Sequence, residues 1–243
     1  LEHLRRLVCL ALLAHDCHPY YSLVLVANRD EFHSRPAQPA YWWEGGEILA
    51  GRDRQAGGSW LGTSYSGRWA VLTNLPSPVR NDTPSRGRLV LEYLRDDAPP
   101  VAALRELLAR GVSGCCLLAG APGAAAWGST GGEVTELAPG FHALSNAPPG
   151  TEWPKVVAGR DALRVALRDS AIDPEALFAI LANRTIPVGG EPWSAAFVAT
   201  PKFGTRCSTL LLVGRNGHVE FRERSFDSRG DVTDEVRESY ALV

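Results

Sequence analysis

The chain is predicted to be of the α+β class, on three observations. Apolar runs of strand length form a block at the start, return in the middle and close the chain, and paired helical stretches separate these blocks. Neighbouring runs are joined by short turns, as antiparallel hairpins are. No GxGxxG or P-loop follows a strand, so the βα alternation of a parallel nucleotide-binding sheet has no support.

The elements follow in order. Leu7 to Ala14 and Ser22 to Ala27 read as two strands around a hairpin turn at His15 to Tyr21. Gly57-Gly58 and Gly67 punctuate short strands around Trp60-Leu61 and Arg68 to Thr73. Ser85 is read as the cap of a helix over Arg86 to Arg95, and a second helix runs from Pro100 to Arg110 with proline in its first turn. Strands return at Gly114 to Ala119 and Phe141 to Ser145. Helices follow at Pro154 to Arg168 and Glu175 to Leu181, the latter capped by Asp173 with Pro174 at its first position. Thr209 to Val213, the turn Arg215-Asn216-Gly217 and His218 to Arg224 form a closing hairpin.

A length of 243 residues with 45% hydrophobic content suits one domain with a large core. The expected boundaries are a leader over residues 1–8 and a single domain over 9–243. A net charge of −2 and no basic stripe argue against nucleic acid and anionic membrane as partners. No apolar run reaches the length of a membrane span. Arg5-Arg6 before Leu7 to Ala14 has the look of a short signal peptide, but the eight-residue apolar stretch and His15-Asp16 suit a first core strand better. Five cysteines without a CxxC pair read as free thiols in a reducing compartment, hence a cytoplasmic protein. Cys115 and Cys116 are expected in a buried strand. Of 25 basic residues only Lys155 and Lys202 are lysine, an arginine bias that reads as a GC-rich bacterial gene. His15-Asp16-Cys17-His18 holds metal-ligand types, but adjacent turn residues splay apart; a solvated turn is expected and no metal. The seven tryptophans are expected mainly in packing.

Polar clusters interrupt the apolar pattern: Asn28-Arg29-Asp30-Glu31, Gly51-Arg52-Asp53, Thr73-Asn74, Ser145-Asn146 and Gly204-Thr205-Arg206. Each falls at the end of an expected strand, where a rigid sheet can hold functional groups. Taken singly, each is equally a turn or a solvated ion pair.

Ala27-Asn28-Arg29-Asp30-Glu31-Phe32 with Ser34-Arg35-Pro36 resembles the name-giving motif of the NRDE family, also called the transport and Golgi organisation protein 2 family. Further blocks agree in order: Leu49 to Asp53 with Gly57 to Gly62, Leu72-Thr73-Asn74, Leu144-Ser145-Asn146 with Trp153-Pro154-Lys155, and Phe203 to Thr209. That family is similar to cysteine-type N-terminal-nucleophile (Ntn) hydrolases such as bile-salt hydrolases and penicillin V acylases. The resemblance implies a four-layer αββα sandwich of two mainly antiparallel sheets, with Cys9 as nucleophile.

By the same resemblance, Arg29 and Arg206 would lie beside the thiol, Asp30 would orient the α-amine of an N-terminal Cys9, and Asn74 would donate to the oxyanion. Asn146 would bridge the amine or substrate carbonyl. Asn28, Glu31, Arg52, Asp53 and Trp60 are expected as supporting or substrate-binding residues. In the acylases the Arg and Asp stand three apart, whereas Arg29 and Asp30 are adjacent. Either the strand bends at Asn28 or Glu31 takes the carboxylate role. Val8-Cys9 implies that the working chain starts at Cys9, with Leu1 to Leu7 an over-extended reading frame, or the leader a propeptide removed before Cys9. The implied function is hydrolysis or acyl transfer at a linear amide or acyl (thio)ester of a small molecule, with no cofactor required. The alternative is a carrier on the same fold for haem, lipid or acyl-CoA, since eukaryotic members are linked to haem trafficking.

Overall fold

A computed structural model describes residues 9–77 and 83–243. The expected strand start at Leu7-Val8 lies outside them. Among the described residues the chain forms two compact units. One unit takes in the chain to Ser34, Pro139–Ser145 and Gly150–Ala241; the other takes in Arg35–Ala138, Asn146–Pro149 and Leu242–Val243.

The first unit carries a six-stranded antiparallel sheet. Its strands are β1 (Leu10–His15), β2 (Tyr21–Phe32), β10 (Gly140–Leu144), β11 (Phe203–Gly214), β12 (His218–Phe226) and β13 (Val232–Ala241), in the order β10-β1-β2-β11-β12-β13. Alternate residues Leu10, Leu12, Ala14, Val24, Val26, Leu210 and Leu212 share one face, as period two requires. Helices α3 (Pro154–Ala166) and α4 (Pro174–Leu181) cover that face with Val156, Leu163, Leu177, Phe178 and Leu181. α4 starts as expected: the Asp173 side chain accepts from Glu175 N at 2.9 Å.

The second unit carries a seven-stranded antiparallel sheet in sequence order: β3 (Ala37–Trp42), β4 (Ile48–Asp53), β5 (Leu61–Ser64), β6 (Trp69–Asn74), β7 (Cys115–Ala121), β8 (Ala124–Ser129) and β9 (Val134–Glu136). Helices α1 (Gly87–Arg95) and α2 (Pro100–Ala109) pack Leu89, Val90, Tyr93, Leu104 and Leu107 against Ile48, Ala50, Ala70, Leu117 and Ala119.

Three expectations are corrected. β2 does not stop at Ala27 but continues through Asn28, Arg29, Asp30 and Glu31, because Ser208 and Thr205 of β11 and the carbonyls of Leu181 and Ala196 hydrogen-bond to Asn28 and Asp30. Ser85 does not cap α1 with its side chain; the helix is entered through Arg86 without a side-chain cap, and Ser85 contributes its carbonyl to Arg88 N. The turn after β1 is only partly solvated: Asp16 and Cys17 are exposed, but His18 is buried, with Nε2 3.3 Å from the Asp169 carbonyl.

Candidate active site

Cys9 stands immediately before β1. Its φ of +32° lies in the left-handed region that a side chain other than glycine rarely occupies, a local strain that tends to mark functional positions. Both neighbours of β1 in the sheet hold it. Ser145, just past β10, donates its hydroxyl to the Cys9 carbonyl at 2.7 Å. From β2, the Asp30 carbonyl accepts from the Cys9 thiol at 3.8 Å. The residue is half-buried, but its sulfur is enclosed. Burial first, and the Asp30 carboxylate second, push the thiol up to about 12, while the Asp30 backbone contact, Arg29 and Lys155 pull it down. Arg29 acts in the direction that favours the thiolate. Burial outweighs it, and with Cys9 inside a longer chain the group is a neutral thiol at neutral pH.

β2 delivers the remaining chemistry. Asn28 and Asp30 continue the Val24–Val26 face, the one that α3 and α4 cover. Asn28 acts as a clamp. Its Nδ2 donates to the carbonyls of Leu181 and Ala196, both at 2.8 Å, and its Oδ1 accepts from Ser208 at 2.6 Å. Asp30 Oδ1 accepts from Thr205 at 2.6 Å. Its Oδ2 is buried and has no hydrogen-bond partner among the described residues. Burial raises the Asp30 carboxyl to about 6, against the lowering effects of Lys155, the Thr205 bond and Arg29.

Arg29 points to the other face, yet both it and Asp30 act on the Cys9 thiol. Cys9 lies one residue beyond the pair Leu10–Asn28, so it faces the stretch of β2 that carries both charges. The irregularity lies on the partner strand: the register of β11 shifts between Thr205 and Cys207, so Arg206 is the extra residue of a bulge opposite the step from Arg29 to Asp30. Arg206 donates from Nη1 to the Phe32 and His33 carbonyls at 3.1 and 3.2 Å, and Arg29 and Glu31 act on its charge. Glu31 accepts from Phe32 N at 2.9 Å and stands 3.9 Å from Arg29. Asp30 is thus the carboxylate acting on Cys9, with Glu31 tied to its own strand and to Arg29.

Sequence reasoning missed Lys155 and Thr205 as members of this group, and Ser145 as a support. Lys155 sits in the first turn of α3, is buried, and interacts electrostatically with Asp30 and Cys9. A signal was present: it is one of two lysines in an arginine-rich chain and stands inside the block Trp153-Pro154-Lys155.

The other expected residues belong to the second unit. Asn74 closes β6, paired with Cys115 of β7. Asn146 is buried, and its Oδ1 lacks a hydrogen-bond partner among the described residues. Asp53 is a turn anchor, accepting from Arg35 at 2.7 Å and from the amides of Gln55 and Ala56 at 3.0 Å. Arg52 is exposed, its guanidinium 5.0 Å from the Trp43 ring centre. The Trp60 ring lies against Gly51, where an added Cβ would come within 2.3 Å of it.

Haem requires an axial side chain on an open pocket. One cavity, of about 570 Å³ beside α2 and the β8–β9 turn, is lined by Arg105, Leu108, Ser129, Glu133 and Val134 among others, and none of its lining residues is Cys, His, Met or Tyr. No helix among the described residues is long and apolar enough to cross a membrane.

The chain is similar to known proteins in sequence and in fold. The family model described as Transport and Golgi organisation 2 matches residues 8–228. The Transport and Golgi organization protein 2 homolog of Bos taurus is 35% identical over 241 residues, covering 84% of this chain and 87% of the relative. Its Homo sapiens counterpart is 34% identical over 239 residues, with the same coverage. Among solved structures, the Caenorhabditis elegans ortholog of N-acylethanolamine-hydrolyzing acid amidase superposes with a TM-score of 0.54 at 13% identity, over 84% of this chain and 92% of that one. A mutant conjugated bile acid hydrolase from Clostridium perfringens superposes with a TM-score of 0.55 at 9% identity, over 97% and 92%. At such identities the likeness is one of fold, and the fold is the α+β, Ntn-hydrolase type with two antiparallel sheets that the sequence predicts. With the family model and both relatives spanning most of its length, the chain belongs to the Transport and Golgi organisation 2 family.

Proposed function

We propose that the chain is a cysteine Ntn-type hydrolase or acyltransferase acting on a linear amide or acyl (thio)ester bond of a small molecule, with Cys9 as nucleophile and as the first residue of the working form. One observation carries the reading. Next to a strained cysteine lies a buried carboxylate, Asp30, with one oxygen held by Thr205 and the other without a hydrogen-bond partner among the described residues. A free α-amine on Cys9 suits that second oxygen, and an amine of this kind titrates at about 7.7–8.0, in range to accept the thiol proton.

The reaction then runs within one residue. The α-amine takes the Cys9 proton, sulfur attacks the acyl carbonyl, and the C–N or C–S bond breaks as the leaving group regains that proton. Water, or a second acceptor, releases the acyl group from the thioester. Arg29 favours sulfur in its anionic state. With the leader attached, the Cys9 nitrogen is an amide and cannot act as base, which agrees with the neutral thiol of the extended chain. Five free cysteines suit a reducing, cytoplasmic setting.

The test compares a chain that begins at Cys9 with the extended chain, using intact mass after exposure to N-acyl amides and acyl thioesters. An acyl adduct on the Cys9-initiated chain, absent from the extended chain and from Cys9→Ser, is the expected result. No adduct with any donor, together with stoichiometric haem binding by both chains, would replace the hydrolase reading with the carrier.

A further inference from the structure

We infer that Lys155 is the charge partner that keeps Asp30 ionised at neutral pH, and that it is thereby a positioning residue for the nucleophile at Cys9. Its catalytic meaning rests on the hydrolase reading; the pairing itself does not.

The argument begins with burial. Lys155 and Asp30 are 6% and 5% exposed. An ammonium so enclosed needs an anion, and an enclosed carboxylate needs a cation, because neither keeps its hydration. The two come from different elements. Asp30 extends from β2 on the face that α3 and α4 cover, while Lys155 enters from the first turn of α3, with Pro154 before it at the first helical position. Gly159 brings α3 close to β1: a Cβ there would meet Leu12 at 3.0 Å and Leu10 at 3.5 Å. Close seating on the strand that follows Cys9 holds the start of α3 beside the nucleophile.

The groups facing Asp30 are few. Lys155 comes from α3, Arg29 and Glu31 from its own strand, Thr205 from β11, and the Cys9 thiol from the start of β1. Arg29 is shared with Glu31 at 3.9 Å and is repelled by the like charge of Arg206. Glu31 is engaged with Phe32 N and Arg29. Asp30 and, when ionised, Cys9 act on the Lys155 charge. Its ammonium also donates to the Trp193 carbonyl at 3.3 Å, which would be its whole purpose if the residue only tied a loop to α3. A loop tie does not account for the buried carboxylate beside it, and a carboxylate that must accept from an α-amine has to stay unprotonated.

The experiment follows the carboxyl carbon of Asp30 and the side-chain resonances of Lys155 by NMR across pH, in the full chain. In the wild type, Lys155 is expected to show an inflection at the Asp30 midpoint. In Lys155→Met the Asp30 midpoint is expected to rise by about 1–3 pH units, the usual effect of removing an adjacent opposite charge. Lys155→Arg is expected to return it to near the wild-type position. An unmoved midpoint in a folded Met variant, or an Arg variant that behaves like Met, would leave only the loop tie. If the Met variant does not fold, absence of the shared inflection in the wild type overturns the pairing. In the Cys9-initiated chain the acid limb of acyl-enzyme formation should move with the Asp30 midpoint. A shared inflection in a chain that never forms an acyl-enzyme would uphold the pair and reject the hydrolase reading.

Discussion

Asp30 titrates in the folded chain at about 6 because burial disfavours its charge, whereas a carboxyl in the unfolded chain titrates near 3.8. Between those two pH values the folded state holds a proton that the unfolded state has released. Stability from this group is therefore full below about pH 4 and is lost as pH rises through about 6. The span corresponds to roughly 3 kcal/mol, at one pH unit per ~1.4 kcal/mol. Urea unfolding of wild type and Asp30→Asn at pH 4, 5, 6 and 7 should show the difference in stability between the two changing across that window and flat above it. A difference independent of pH would mean that Asp30 titrates normally. Thr205→Val addresses the same carboxylate from the other side: losing a donor to a charged group costs about 1.5–3 kcal/mol, with the cost greatest above pH 6, where Asp30 is ionised.

At the scale of elements, two close approaches seat the helices. Gly159 seats α3 on β1, so Gly159→Leu should overpack that contact and cost about 1–3 kcal/mol. Gly58 lies against Gly87 at the start of α1, where an added Cβ would meet the Gly87 carbonyl carbon at 2.4 Å. Backbone cannot yield as a side chain does, so Gly58→Ala should be the more damaging per atom added. Arg68 fastens β6 to the end of α1. Its Nε donates to the Tyr93 carbonyl and Nη1 to the Ala98 carbonyl, both at 3.0 Å, with its guanidinium 4.1 Å from the Tyr93 ring centre. Arg68→Met removes both bonds, leaving the Tyr93 carbonyl with Asp96 N and the Ala98 carbonyl without its guanidinium donor, and should cost about 1–3 kcal/mol in denaturant unfolding, without altering thiol reactivity at Cys9.

Across the whole molecule, each sheet has to bury an apolar face and protect its edges. Leu12 in the first unit and Leu117 in the second are fully buried, and truncation of either to Ala is expected to cost about 2–5 kcal/mol. β13 is an edge of the six-stranded sheet and exposes Asp234 and Arg237. Charges at an edge discourage pairing with a second chain. The double variant Asp234→Val with Arg237→Val should scatter light at concentrations where the wild type stays clear, and equal clarity would show that the edge is protected otherwise.

Much of this was legible in the residues alone. The hairpin of β1 and β2, the proline-led starts of α2, α3 and α4, the Asp173 cap and the β11–β12 turn are written in period, cap and turn chemistry, which act over a few neighbouring residues. The family resemblance likewise pointed to Cys9, Arg29 and Asp30. Other features depended on partners distant in sequence. β2 runs on through Asn28 and Asp30 because Leu181, Ala196, Ser208 and Thr205 supply hydrogen bonds to them, and no local rule contains those residues. Asp30 is separated from Glu31 as the carboxylate of Cys9 by the strand register and the bulge at Arg206. The neutral thiol was likewise out of reach, since desolvation is set by everything packed around an atom and local sequence shows only its covalent neighbours. Lys155 joined the site for the same reason: a lysine 125 positions from Asp30 becomes its neighbour only when α3 is seated on the sheet. The sequence determined which groups the chain owns and the short-range elements that carry them. The tertiary structure decided which of those groups share a buried space, because charge and burial act through distance in three dimensions.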